Sequence, residues 1–182
     1  MSCTQRRFFG MRLVAEESGE LAPERGDART SPGVLAFADR AFVWRLVRNR
    51  TYRAFFNADG HEVVPADASS GRQVRLATGC RVGPFAEFQS LVRLLSRSEE
   101  TSASVYILGN TTVELQRIEQ NIRATFPGVR VVGRAVFHPA SISSITTAIR
   151  KASPRIVLSG VVTKPFLHWL VTSSDRLGPV LT

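Results

Sequence analysis

The segment from Ala103 to Gly160 constrains the fold more than any other part of the chain, because five consecutive elements can be read in it. Ser104-Val-Tyr-Ile-Leu108 is an apolar, β-rich run closed by Gly109. Thr111-Thr-Val-Glu114 then has the form of a capping box, in which hydroxyl and carboxylate satisfy exposed N–H groups at a helix start. In the helix that follows, Leu115, Ile118, Ile122 and Phe126 recur at helical spacing, and Glu119 and Arg123 stand four apart on the other face. Pro127-Gly128 stops it. Val129-Arg-Val-Val132 reads as the next strand, ended by Gly133. Pro139-Ala-Ser141 opens a second amphipathic helix marked by Ile142, Ile145, Ile149 and Ala152, and Pro154 closes it. Ile156-Val-Leu158, followed by Gly160, is a third strand.

The order is therefore β-α-β-α-β with short connections, which predicts three parallel neighbouring strands joined by right-handed crossovers. The fold class expected is α/β, a Rossmann-like open sheet, mainly parallel, with helices on both faces. Ligands of such sheets bind at the carboxyl ends of the strands. Those ends are Gly109-Asn110, Gly133 to His138, and Gly160 to Lys164, which makes Gly109, Asn110, His138 and Lys164 candidates for substrate binding.

A chain of 182 residues with 43% hydrophobic content can build one such core. Residues 1–32 mix Glu, Arg, Gly, Ser and Pro with little apolar periodicity after Val14, and are expected to be a mobile leader. Residues 33–182 are expected to form a single domain. Cys3 and Cys80 are the only cysteines, without metal-ligand spacing or the pattern of a secreted disulfide scaffold, so no metal or cofactor is expected and the cytoplasm is the natural compartment. No apolar run reaches the length of a membrane span, and Arg6-Arg7-Phe8-Phe9 does not begin a signal peptide. The formal charge of +9 invites a nucleic-acid partner, but the arginines are spread over most segments and no aromatic-basic or helix-turn-helix signature appears, so none is expected. Attraction to an anionic membrane surface suits the same charge.

From Gly33 the apolar density rises. Val34-Leu-Ala-Phe37 forms a short strand, and Asp39 caps a helix presenting Phe42, Val43, Leu46 and Val47 that ends near Asn49. Tyr52, Phe55 and Phe56 continue an apolar stripe read as core. Asn57-Ala-Asp-Gly60 is a turn, His61-Glu-Val-Val64 a strand, and Pro65-Ala-Asp67 its exit loop. Glu62 and Asp67 lack the placement of a paired-carboxylate hydrolase. Pro84 introduces a helix with Phe85, Phe88, Leu91, Val92 and Leu95 on one face. His138 is a loop histidine, and His168 lies beside Trp169 in an apolar helix. No Gly-rich dinucleotide fingerprint or Walker loop is present.

Val105-Tyr-Ile-Leu-Gly109 and its helix, Phe126-Pro-Gly-Val-Arg-Val-Val-Gly133, Phe137 and Ile156-Val-Leu158 resemble, in order and spacing, the second half of the WecG/TagA/CpsF family of glycosyltransferases. The resemblance implies transfer of an N-acetylmannosamine-type sugar from a UDP-sugar donor to a polyprenyl-linked saccharide acceptor, in exopolysaccharide, teichoic acid or related cell-envelope biosynthesis. It implies a cytoplasmic protein, peripheral at the inner face of the plasma membrane. It also implies an aspartate acting as general base near the end of an early strand. Asp67, just after Val63-Val-Pro65, is the better match, and Asp59, followed by glycine as in the family motif, is the alternative. His138 falls where the family has a loop near the donor site.

The sequence departs from the family pattern at several points. Phe37 and Asp39 stand where the family has threonine and asparagine. Thr163-Lys-Pro-Phe-Leu167 replaces its Pro-Lys-Gln-Glu segment and keeps only the lysine, Lys164, with Trp169 nearby. The chain stops at Thr182, where the family continues through another strand and a basic, membrane-associating appendage. A divergent member, truncated at the C-terminus, is therefore expected. A catalytically inactive relative acting as a binding or assembly module is the alternative, and a basic nucleotide- or nucleic-acid-binding α/β protein is the third.

Overall fold

A computed structural model of the chain describes residues 6–8, 11–13, 34–57, 62–66, 72, 87–173 and 180–181. The chain divides into two compact units, Met1–Ser90 and Leu91–Thr182.

In the first unit, β1 (Arg6–Phe8) and β2 (Met11–Leu13) pair antiparallel, with Arg7 opposite Arg12. β2 continues into a parallel contact with β4 (Glu62–Pro65), where Leu13 pairs with Val63, and β4 pairs parallel with β3 (Val34–Ala38). The stretch expected to be a leader thus contributes two short strands. The sequence Phe8-Phe-Gly-Met11 carries the apolar residues and the glycine that mark a short hairpin.

Two helices follow β3. Asp39 caps α1 (Arg40–Arg48), its carboxylate accepting from the Phe42 N–H at 2.6 Å, and Phe42, Val43 and Leu46 are buried on the predicted face. The helix ends at Asn49, as the sequence indicates. Asn49 serves both sides of the break: its own N–H donates to the Arg45 carbonyl, and its Oδ1 accepts from Thr51 and Tyr52 N–H at 2.9 and 3.2 Å, starting α2 (Arg50–Asn57). Phe56 is buried and meets Phe42 edge-on at 5.7 Å between ring centroids, which locks the two helices together. The first residues of the helix expected from Pro84 lie outside the described residues; α3 is seen from Glu87 to Glu100.

The second unit contains the predicted β-α-β-α-β order. β5 (Ser104–Gly109), β6 (Arg130–Val136) and β7 (Ile156–Ser159) are parallel neighbours with β5 in the centre, and β8 (Val180–Leu181) extends the sheet beyond β7. The sheet is open. From β5 the chain moves to β6 on one side, then returns past β5 to β7 on the other. With right-handed crossovers this reversal places α4 (Thr112–Thr125) on one face and α5 (Ile142–Ala152) with α6 (Lys164–Ser173) on the opposite face. The Trp169 indole N–H of α6 donates to the Thr146 hydroxyl of α5 at 3.0 Å, and the Phe137, Phe166 and Trp169 rings pack against one another with centroids 5.2–5.6 Å apart.

Gly133 does not end β6. The strand runs on to Val136, and Gly133 stands opposite Tyr106 just after a register shift that leaves Val132 as the extra, exposed residue. A Cβ at Gly133 would lie 2.4 Å from the Tyr106 ring, so the glycine is required by a cross-strand ring rather than by a turn. Burial of this ring pushes the Tyr106 phenol above its ordinary pKa. On the outer side of this edge, Glu119 of α4 bridges Arg123, at 2.6 Å, and Arg134 of β6. Where α5 ends, Ser153 adopts the left-handed conformation with φ of 43°, accepting the strain that glycine would avoid.

Gly133→Ala should therefore lower stability by about 1–3 kcal/mol in urea unfolding, as overpacked sites do. In a Tyr106→Leu background the same change should cost much less, because the clashing ring atoms are gone; equal costs in both backgrounds would refute the ring contact as the reason for the glycine.

Candidate active site at the carboxyl edge of the sheet

The reversal of chain direction between β5 and β7 is a topological switch point, and in open α/β sheets the crevice outside the carboxyl ends of the strands at that point takes the ligand. Gly109 and Gly160 end these two strands without side chains. β5 is tied to both neighbours there: the Gly160 N–H donates to the Leu108 carbonyl at 3.1 Å, and the Phe137 N–H donates to the Gly109 carbonyl at 2.9 Å.

Gly109 is needed for close approach of α4 to β5, since a Cβ would stand 3.0 Å from Leu115 Cδ2. Asn110 is exposed and its N–H donates to Glu114 Oε2 at 3.0 Å, while the Glu114 N–H donates to Thr111 Oγ1 at 3.2 Å. The capping box is present, with the carboxylate reaching one residue further back than the cap. Glu114 is more than a cap. Its Oε1 lies 3.4 Å from where a Cβ of Gly160 would be, so the half-buried carboxylate reaches from α4 to the end of β7, into room left by the two glycines.

His138 follows β6 at the same edge. It is exposed and starts the 3-10 turn Pro139–Ser141, its Nδ1 accepting from the Ala140 N–H at 3.3 Å. With Nδ1 taken up as an acceptor, Nε2 is the ring nitrogen left to meet a ligand. Lys164 is exposed as the first residue of α6, behind Thr163, whose Oγ1 accepts from the Phe166 N–H at 3.4 Å and whose carbonyl accepts from Leu167 N–H at 3.0 Å. The Lys164 cation gains nothing from the dipole of its own helix, but cation and dipole together favour an anion bound at that helix start. Gly109, Asn110, His138 and Lys164 thus share one edge of the second unit. Asp67 and Asp59 lie outside the described residues; in sequence they flank β4, Asp67 beyond its carboxyl end and Asp59 before its amino end.

Glu114 is the residue whose second role sequence reasoning missed. The signal was the Gly-x-Thr-x-x-Glu spacing directly after a strand, which returns the third helical residue to the strand end. His168 is exposed, whereas Trp169 beside it is buried. Among the described residues, no group of three or more His, Cys, Asp or Glu side chains is placed to hold a metal ion, and no helix is long and apolar enough to cross a membrane.

The fold is that of an open α/β protein whose strand ends at the switch point carry Gly109, Gly160 and the Glu114 carboxylate. The family model described as "Glycosyl transferase WecG/TagA/CpsF family" matches residues 8–181, nearly the whole chain, and the chain belongs to that family. No curated protein matches it. Membership implies a glycosyltransferase-like role in cell-surface polysaccharide synthesis, with a sugar-nucleotide donor and a lipid-linked acceptor in general terms.

The position of Glu114 generates a directional expectation. If a donor diphosphate binds at the ends of β5 and β7, the carboxylate opposes it, and Glu114→Gln should tighten UDP binding by about 3- to 10-fold, the scale of one like-charge contact screened by water, about 1 kcal/mol. Calorimetry on both chains measures this, and weaker binding by the glutamine variant would instead mean that the carboxylate accepts from the ligand.

Proposed function

We propose that this chain transfers a sugar from a UDP-sugar to a polyprenyl-linked saccharide acceptor in surface polysaccharide biosynthesis of the exopolysaccharide or teichoic acid type, working at the inner face of the plasma membrane. The observation that carries the proposal is the family match over residues 8–181. The switch-point crevice between Gly109 and Gly160 is consistent with it, because sugar nucleotides need a concave polar site at strand ends.

In this mechanism Asp67 removes the proton from the acceptor hydroxyl, with Asp59 as the alternative base. The resulting oxygen attacks the anomeric carbon of the donor. The bond from that carbon to the β-phosphate oxygen breaks, and UDP departs with the electron pair. Lys164 and the backbone N–H groups near Asn110 are suited to stabilise the leaving diphosphate, and the His138 Nε2–H to donate to a phosphate or sugar oxygen.

One observation favours a second reading, donor binding with little turnover. After Lys164, where the family carries Gln and Glu, this chain has Pro165 and Phe166, and Phe166 is fully buried against Phe137 and Trp169. Polar groups at that place have been exchanged for packing, so binding would outlast transfer.

Titration with UDP and UDP-sugars, followed by a transfer assay on a lipid-linked acceptor, tests both readings. Saturable UDP-sugar binding is expected. Asp67→Asn should reduce transfer by about 10²–10⁴-fold, the usual contribution of a general base, and leave donor affinity nearly unchanged. Full activity of Asp67→Asn together with loss in Asp59→Asn assigns the base to Asp59. Absence of binding at millimolar UDP-sugar removes the proposal, and binding without transfer selects the silent relative.

A further inference from the structure

The helix pair α1–α2 carries a concentrated positive charge. Residues 40–57 contain five arginines, Arg40, Arg45, Arg48, Arg50 and Arg53, and neither aspartate nor glutamate. The acidic residue just before them, Asp39, is engaged as the helix cap.

The solvent side of α1 has a second property. Ala41, Trp44 and Arg48 recur three and four residues apart and are all exposed, while Phe42, Val43 and Leu46 take the buried side. Trp44 is 48% exposed, and the Arg48 guanidinium lies over its ring, 5.2 Å from the centroid. Arg50, the first residue of α2, is exposed as well. The platform beneath is rigid, because Asn49 hydrogen-bonds to both helices and Phe42 packs on Phe56.

From these features we infer that the exposed face of α1, with the start of α2, docks onto an anionic phospholipid bilayer. An indole with one apolar body and one polar N–H settles at the headgroup level, where tryptophan is enriched at membrane surfaces. Arginines beside it reach lipid phosphates while their stems lie along apolar surface. A single-stranded nucleic acid fits this face less well. Single strands are held by several aromatic side chains on which successive bases stack, and Trp44 is the one exposed aromatic among the described residues of α1 and α2. This inference deepens the membrane part of the proposed function by naming the surface that makes the contact, and it does not depend on sugar transfer.

The test uses the full chain, and the protein supplies its own probe. It has two tryptophans, and Trp169 is only 2% exposed, so Trp44 should dominate any environment-dependent change in emission. The chain is titrated with phosphatidylcholine vesicles containing phosphatidylglycerol, and with phosphatidylcholine vesicles alone. A blue shift confined to the anionic vesicles and reversed by salt is expected. Trp44→Phe should abolish the shift while cosedimentation persists. Arg48→Glu with Arg50→Glu should weaken vesicle binding by at least about tenfold, given the usual contribution of each arginine near an anionic surface. Arg50→Glu alone should weaken it in the same direction, with far-UV circular dichroism and Trp169 emission confirming the fold of each variant. Unchanged binding by folded charge-reversed chains would overturn this face and leave peripheral attachment by another surface standing. No binding of the unmodified chain to anionic vesicles would overturn both. Tighter binding of an RNA oligonucleotide with quenching of Trp44, and no shift on vesicles, would overturn it in favour of a nucleic-acid partner.

Discussion

The burial of β5 on both faces is the constraint on which the second unit depends. Val105, Ile107 and Leu108 are almost wholly removed from solvent, and so is Tyr106. A strand of this kind cannot stand at an edge or face water on one side; it needs a partner strand on each flank and helices above and below. The hydrogen bonds at its two ends show how fully this is met. Ser104 and Ala103 carbonyls accept from Arg155 and Arg130 N–H at one end, and Leu108 and Gly109 carbonyls accept from Gly160 and Phe137 N–H at the other. Once β6 and β7 must occupy opposite sides of β5, the chain has to reverse direction between them. The switch point, and with it the crevice, follows from that reversal.

The carboxyl edge of the second unit carries charges of both signs. Glu114 brings a carboxylate to the ends of β5 and β7, held by the Asn110 N–H, while Lys164 places a cation at the start of α6. A carboxylate at this place accepts hydroxyl donors readily and tolerates a diphosphate only with compensating charge. Phe166 is fully buried and packs on Phe137 and Trp169, so the start of α6 is tied to the core beneath it while Lys164 stays exposed.

Much of the fold was legible in the sequence because the deciding signals are local. Asp39 before α1 and Thr111 with Glu114 before α4 satisfy N–H groups within four residues, so their meaning can be read without knowing the rest of the chain. The same holds for the 3.6-residue recurrence that buries Leu115 and Ile122, or Ile145 and Ile149. The candidate edge was legible for a related reason, since strand ends follow from strand order. Asp67 and Asp59 remained two alternatives, because a lone aspartate in a loop carries no periodicity to distinguish a base from a turn residue.

By itself the sequence determined the alternation of strands and helices from Ala103 to Gly160, their parallel order and the edge to which Gly109, Asn110, His138 and Lys164 belong. Tertiary structure alone decided three other things. Gly133 lies inside a strand because the Tyr106 ring occupies the space of its Cβ, not because the chain turns there. Glu114 reaches the end of β7 because the chain reversal sets Gly160 beside Gly109. β1 and β2 are strands because Leu13 finds Val63. In each case the deciding contact joins residues far apart in sequence, and short-range hydrogen bonding and hydrophobic periodicity hold no record of which distant side chain will arrive.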